Sequence, residues 1–389
     1  MGSRRKYDIV LFGATGFTGE LTAEYLARHA PAGCRWALAG RNQAKLAGVR
    51  SRLASIDPEL GSMDLLVADV GDAESVAAVA SAARVVITTV GPYVAHGDPL
   101  VAACAAAGTD YVDLTGEPEF VDQTYVRHHA TAVASGARLV HACGFDSIPY
   151  DLGVLHAVTE LKASGAVAVE GFVRASGTFS GGTYQSAVTA FGRMKASAAV
   201  AAQRRELEER PAGRRARGAG KPHRSRFGWW ALPVPTVDPQ IVLRSARALE
   251  VYGPDFTYGH FLAFKRLPTV VGVVGGVGVL FGLAQVSPVR NWLLGRVKSG
   301  EGPSAERRAR SWFKVRFEAR GDGRRVVTEV SGGDPGYGET AKMLAESALC
   351  LAFDELPACS GQVTTAVAMG EALTSRLVKA GISFSVLEG

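Results

Sequence analysis

Tyr7-Asp8-Ile9-Val10-Leu11-Phe12-Gly13-Ala14-Thr15-Gly16-Phe17-Thr18-Gly19 sets the fold of the first 150 residues. Residues 7–12 form a short, mostly apolar run closed by glycine, which reads as a buried strand. The glycines at 13, 16 and 19 follow directly, and residues 18–30 read as a helix. Glycines at a strand-to-helix turn allow a tight bend and let backbone amides approach a pyrophosphate. The helix N-terminus adds unpaired N–H donors and a favourable dipole. A lone glycine motif is weak, but this one has the strand before it, the helix after it and a βαβ unit to open. Gly13, Ala14, Thr15, Gly16, Phe17, Thr18 and Gly19 are therefore the candidate dinucleotide-binding loop.

Further strands are expected at 35–39, 64–68, 84–90, 110–114 and 138–143, with helices at 42–55, 72–82, 98–107 and 120–135 between them. This alternation with short connections predicts an α/β fold with a Rossmann-type, doubly wound parallel sheet. After Gly153 it stops. Residues 167–176 and 312–331 read as strands of a second, antiparallel sheet; residues 183–209 and 338–353 read as helices. The reading is thus a nucleotide domain over 1–150 and a second, mixed α/β domain over 151–335.

The end of the second strand reads Ala39-Gly40-Arg41-Asn42, where NAD enzymes usually carry an acid for the ribose hydroxyls. A cation there suits a 2′-phosphate, and Asn42 offers another donor, so NADPH is the expected cofactor. Asp69 ends the third strand and reads either as a contact to the adenine edge or as a helix N-cap. Gly91, Pro92 and Tyr93 follow the fourth strand, over the crevice where the nicotinamide half belongs.

Of 389 residues, 47% are hydrophobic and 21% charged, which suits a globular chain with a real core. The formal charge of +6 is concentrated in 204–226, nine Lys/Arg against three Glu. Without interleaved aromatics this basic stretch reads as a solvated loop and not as a nucleic-acid site. The five cysteines are scattered, so neither a disulfide framework nor a metal site is expected, and a reducing cytoplasm fits. The basic N-terminus lacks the long apolar segment of a signal peptide.

From Leu267 to Val289 no residue is charged, and Lys265, Arg266 and Arg290 flank the run. Its glycines weaken a helix in water but are tolerated in membranes. Three readings stand: a buried segment, one that lies on or dips into a membrane, and a true span. The stretch also suits a groove for a long acyl chain.

GATGFTG, AGRN, TTVGPY, DYVDLTGE, CGFDSIPYDLG and DPGYGETAKMLAE together resemble the saccharopine dehydrogenase-like oxidoreductases, over essentially the whole chain. Within them the sequence is most similar to the actinobacterial trans-acting enoyl reductases, which work beside polyketide synthases lacking that domain. The resemblance implies hydride transfer from NADPH to an α,β-unsaturated acyl thioester in the making of cell-envelope lipids. It also implies that 336–389 packs back against the nucleotide domain. The implied partners are a small-molecule or acyl-carrier-bound lipid substrate and a polyketide synthase; a homodimer and peripheral contact with the plasma membrane stay open.

Reduction of an enoyl thioester builds charge on the thioester oxygen and needs a proton at the α-carbon. Tyr93, Asp146, Ser147 and Tyr150 are the candidate catalytic residues, with Asp146 or Ser147 alternatively capping a helix that begins near Ile148-Pro149. Glu117 reads as a group orienting the nicotinamide or as a solvated charge, and His96 as a proton donor or a surface histidine. Two other functions compete: a saccharopine-type amino-acid dehydrogenase, and a non-catalytic NADP-sensing protein.

Overall fold

The computed structural model describes residues 5–176, 193–234, 236–284, 289 and 302–389. The first half follows the expected alternation: β1 (Tyr7–Phe12), α1 (Phe17–His29), β2 (Trp36–Gly40), α2 (Gln43–Ala54), β3 (Leu65–Val67), α3 (Ala73–Ala82), β4 (Ala83–Thr88), α4 (Tyr93–His96), α5 (Asp98–Ala107), β5 (Asp110–Val112), α6 (Pro118–Ser135) and β6 (Arg138–Val140). These strands are parallel, and β1 lies between β2 and β4. Winding reverses at that point, so a crevice opens at the carboxyl ends of β1 and β4. Side chains alternate across the sheet: Ile9, Leu11, Val85 and Ile87 enter one core, while Val10, Phe12 and Val86 enter another. Both faces are covered, which is why these strands read as continuous apolar runs.

The chain then leaves the sheet through α7 (Ile148–Leu161) and builds β7 (Val167–Ser176), α8 (Met194–Leu207), β8 (Arg215–Gly218), β9 (His223–Arg224), β10 (Trp230–Pro233), α9 (Asp238–Ala248), β11 (Asp255–Phe264), α10 (Leu267–Ala284), α11 (Ala305–Ala309), β12 (Trp312–Gly321) and β13 (Arg324–Gly332). The expected antiparallel sheet is mixed. β12 runs antiparallel to β7, but β11 runs parallel to both β7 and β8. Residues 312–331 form a hairpin. Asp322 and Gly323 lie at φ 52° and 72° between the paired Gly321 and Arg324, as a two-residue turn of matching twist requires. The part of the expected helix before residue 193 lies outside the described residues.

α7 joins the halves by close packing. A Cβ at Gly153 would lie 2.4 Å from the fully buried Phe317 ring, so glycine there lets the helix settle onto β12. The last segment serves both sheets. α12 (Gly338–Phe353) packs against α1, β4 and β5, and β14 (Gly361–Val363) extends the first sheet beside β6. After α13 (Thr365–Ala368) and α14 (Gly370–Lys379), β15 (Ser383–Glu388) pairs with β13 in the second sheet.

Two expectations change. The basic stretch 204–226 is not simply a solvated loop: it contains β8 and β9, and Arg204 is buried in ion pairs with Asp122 and Glu208. The apolar run, over the part described, is not buried. α10 leaves Val271 and Val279 each 64% exposed, and a Cβ at Gly272, Gly275, Gly276, Gly278 or Gly282 would meet nothing within 4 Å. Residues 285–288 and 290 lie outside the described residues. Among those described, no helix is long and apolar enough to cross a membrane.

Candidate functional site

Gly13 lies at φ 87°, and a Cβ on it would lie 2.7 Å from Val90 and 2.8 Å from Thr89. Only glycine lets the loop after β1 approach the loop after β4 so closely, and the Thr89 hydroxyl donates to the Gly13 carbonyl across the gap. A Cβ at Gly19 would meet the Gly13 carbonyl at 2.3 Å, so this glycine seats α1 against the turn. Gly16 differs. It is the N-cap of α1, no side chain caps the helix there, and a Cβ would meet just the Gly13 carbonyl at 3.6 Å. The helix N-terminus is thus left with donors unspent, at the place a pyrophosphate needs them. Ala14 is buried beneath the loop and Thr15, Thr18 and Phe17 are half-buried along it; Phe17 packs edge-on against Tyr337.

Arg41 projects from the end of β2 with 76% of its side chain exposed, 3.9 Å from Asp69. It is free to swing onto a phosphate. Asn42 caps α2 by accepting from the Lys45 amide, which occupies its oxygen and leaves its NH₂ group. Asp69 does not cap α3; Asp72 does, accepting from the Glu74 and Ser75 amides, while Asp69 accepts from the Gly71 amide.

Beyond β4, Gly91 is exposed, Pro92 opens α4, and Tyr93 is buried. The Tyr93 hydroxyl donates to the Thr88 carbonyl and accepts from the Leu114 amide, so it has no proton to offer a substrate. Its candidacy as a catalytic donor falls on that geometry. Glu117 is buried rather than solvated, and its carboxylate accepts from the Tyr93 and Val94 amides, holding the loop. His96 is exposed at the end of α4.

The loops after β5 and β6 are tied together by Asp113, which is fully buried. It accepts from the Tyr111 hydroxyl, the Thr115 and Ala142 amides and His141 Nδ1. Held this way, the second loop places Asp146 against Gly116, where an added Cβ would sit 3.5 Å from its carboxyl carbon. Burial alone pushes the Asp146 carboxyl up to about 6. Ser147 is the N-cap residue of α7 without capping it: its Oγ is buried and unpartnered. Tyr150, in the first turn of α7, is 3% exposed and its ring meets His260 edge-on at 4.8 Å. His260 lies on β11, beside Asp238 at the start of α9 and Tyr258, three residues that sequence reasoning did not single out. Among the described residues no group of metal-ligating side chains forms a cation site. A shallow depression lined by Glu160, Arg324 and Val386 lies at the far end of α7. It has none of these groups.

Residues 9–140 match the saccharopine dehydrogenase NADP-binding domain. The chain is 41% identical to a Mycobacterium tuberculosis protein provisionally named a trans-acting enoyl reductase, over 97% of each chain. It is 36% identical to the trans-acting enoyl reductase of Mycobacterium ulcerans over 98% of each, and 36% identical to that of Mycobacterium leprae over 97% of each. Among solved structures it is similar to apo saccharopine dehydrogenase (L-Glu forming) from Saccharomyces cerevisiae, with TM-score 0.55 and 12% identity over 97% of this chain and 99% of that one. At that identity the likeness concerns the fold.

Two outcomes follow from this geometry. Gly16→Val fits an extended backbone with open space around it, so the melting temperature without ligand should barely move. The new side chain occupies the pyrophosphate path, so NADPH should no longer raise that temperature; an undiminished NADPH shift would remove this loop from the site. The second outcome concerns Asp146. Its folded pKa lies above the unfolded one, so ionisation costs stability as pH rises from about 4 to about 6, and the full cost persists above that. Asp146→Asn should therefore stabilise the protein near pH 8 by roughly 1–2 kcal/mol, less than the full shift implies because the residue is not wholly shielded from solvent. The gain should vanish near pH 4, and calorimetric melts at both values check it.

Proposed function

The chain belongs to the trans-acting enoyl reductase family, and from that premise we propose that it reduces an α,β-unsaturated acyl thioester presented by a separate polyketide synthase. The chain is an NADP-dependent oxidoreductase, and NADPH supplies the hydride. Gly13 to Gly19 would hold the pyrophosphate, Arg41 and the Asn42 NH₂ group the 2′-phosphate. Asp146 would give a proton to the α-carbon after hydride reaches the β-carbon. Its raised pKa keeps a usable protonated fraction near neutrality, as a general acid needs.

One observation carries this reading beyond family membership. Among the described residues, the polar side chains gathered around Asp146 and His260 are Ser147, Tyr150, Asp238 and Tyr258, and burial keeps His260 neutral. A saccharopine-type substrate bears several carboxylates and needs guanidinium or ammonium partners there. An uncharged thioester does not. The competing amino-acid reading is disfavoured on that ground. Purified protein with NADPH should convert 2-enoyl thioesters on coenzyme A or acyl carrier protein into products two hydrogens heavier, and NADH should serve poorly. Turnover of an amino-acid imine with no thioester reduction would reverse the assignment.

We also propose that α10 rests on a membrane surface. A helix apolar on all faces belongs in a core or in lipid, and this one is not in the protein core. β11 and β12, which precede and follow the segment, both pair with β7, so the chain returns to the side it left and a single crossing is ruled out. Exposed Lys265 and Arg266 at the helix start suit anionic headgroups. Flotation with vesicles containing phosphatidylglycerol should recover the protein. The triple change Val271→Ser, Val274→Ser, Val279→Ser should abolish flotation without lowering the melting temperature, since all three side chains are exposed. Unchanged flotation would refute the contact.

A further inference from the structure

Asp238 opens α9 at 4% exposure, and its Oδ1 is buried with no hydrogen-bond partner, although the Thr236 hydroxyl bonds to the carboxyl group. Its Oδ2 faces His260 Nε2 at 3.8 Å, too far for a hydrogen bond. His260 Nδ1 lies 3.0 Å from the Tyr258 hydroxyl, and the His260 ring abuts Tyr150. Burial drives His260 down to about 3, so the ring is neutral and does not form an ion pair with Asp238. Without a counter-charge, burial and the nearby Asp146 charge push the Asp238 carboxyl well above the carboxylate range. That shift favours the neutral acid, the form with an O–H to donate. Burial likewise opposes ionisation of Tyr150, holding its phenol well above the ordinary range. A buried carboxyl oxygen without a partner, as at Asp238 Oδ1, costs stability, and the cost needs a reason.

We propose that Asp238 and Tyr150, both set against His260, form a paired donor site for a substrate oxygen that becomes negative during reduction, the carbonyl oxygen of the thioester. The assignment rests on the enoyl reductase reading. Hydride from NADPH reaches the β-carbon, the carbon–carbon π pair moves toward the carbonyl, and the oxygen takes the charge of an enolate. Two neutral donors bind that oxygen more strongly than the starting carbonyl, which is what accelerates the step. The enolate then collapses, the α-carbon takes the Asp146 proton, and solvent restores Asp146. Asp238 and Tyr150 keep their protons throughout. A protonated carboxylic acid beside a tyrosine in apolar surroundings is an established way to hold an oxyanion. His260 and Tyr258 act as positioning residues, fixing the two donors from the β11 side.

The test uses the full chain and three readouts. Infrared difference spectra between wild type and Asp238→Asn at neutral pH should show the carbonyl stretch of a protonated carboxylic acid, whatever the enzyme turns over. Substituted phenols, as oxyanion mimics, should bind wild type more tightly as their acidity rises. That dependence should flatten in Tyr150→Phe and in Asp238→Asn, Tyr150→Phe. In turnover, Tyr150→Phe and Asp238→Leu should each lower kcat about 100-fold or more with KM changed little, while Asp238→Asn, which keeps a donor, should stay within about tenfold. An ionised Asp238 in the infrared, or wild-type kcat in Tyr150→Phe, overturns the donor pair. Failure of wild type to reduce any enoyl thioester would instead overturn the functional reading, with the infrared and phenol arms still deciding whether the donors exist.

Discussion

The site depends on one buried carboxylate. Asp113 collects a phenol, an imidazole and two backbone amides from two stretches of chain, and it has no exposure to water. A carboxylate so placed is tolerated only because its acceptor sites are filled by donors. Ala142 shows what the arrangement enforces: it sits at φ 59°, in a region L-residues avoid, and its amide is one of the donors to Asp113. The backbone turn that this bond sustains leads directly into Gly144-Phe145-Asp146. The reach of Asp146 toward Gly116 is thus set by a network that itself touches no ligand.

Much of the first half was legible because parallel strands covered on both faces must be apolar throughout, and nothing else places glycines 13, 16 and 19 between such a strand and a helix. Helix 338–353 was legible for a similar local reason. Tyr93 was misjudged because its position, just past β4 over the crevice, is right for a donor; what its hydroxyl bonds to is a tertiary fact, and Thr88 and Leu114 consume it. Glu117 likewise serves the backbone of the neighbouring loop. Asp238, Tyr258 and His260 were missed because their neighbours lie about 90–110 residues earlier in the chain. Parallel pairing of β11 with β7 brings them there, and the local pattern around Val237-Asp238-Pro239 reads only as a helix start. The apolar run defeated sequence reading in another way, since a stretch without charge looks alike whether the protein or something else covers it.

The charges are divided by task. The nucleotide end offers an uncapped helix terminus and a mobile-length cation, suited to a ligand that is highly charged at all times. The second-sheet side offers hydroxyls and carboxyls whose ionisation burial opposes, the setting proposed for an uncharged thioester.

The position of α12 has a consequence for how the molecule is made. The helix packs on β1, β4 and β5, yet it follows β6 by about 200 residues in the chain. At ribosomal rates of ~5–20 residues per second, one face of the newly made nucleotide sheet waits roughly 10–40 s for its cover. During that interval Ile9, Leu11, Val85 and Ile87 lack their late partner, which makes the nascent chain a natural client for holding chaperones. Affinity for NADPH on the ribosome would appear late, when the C-terminal helix docks, and not when the glycine loop emerges.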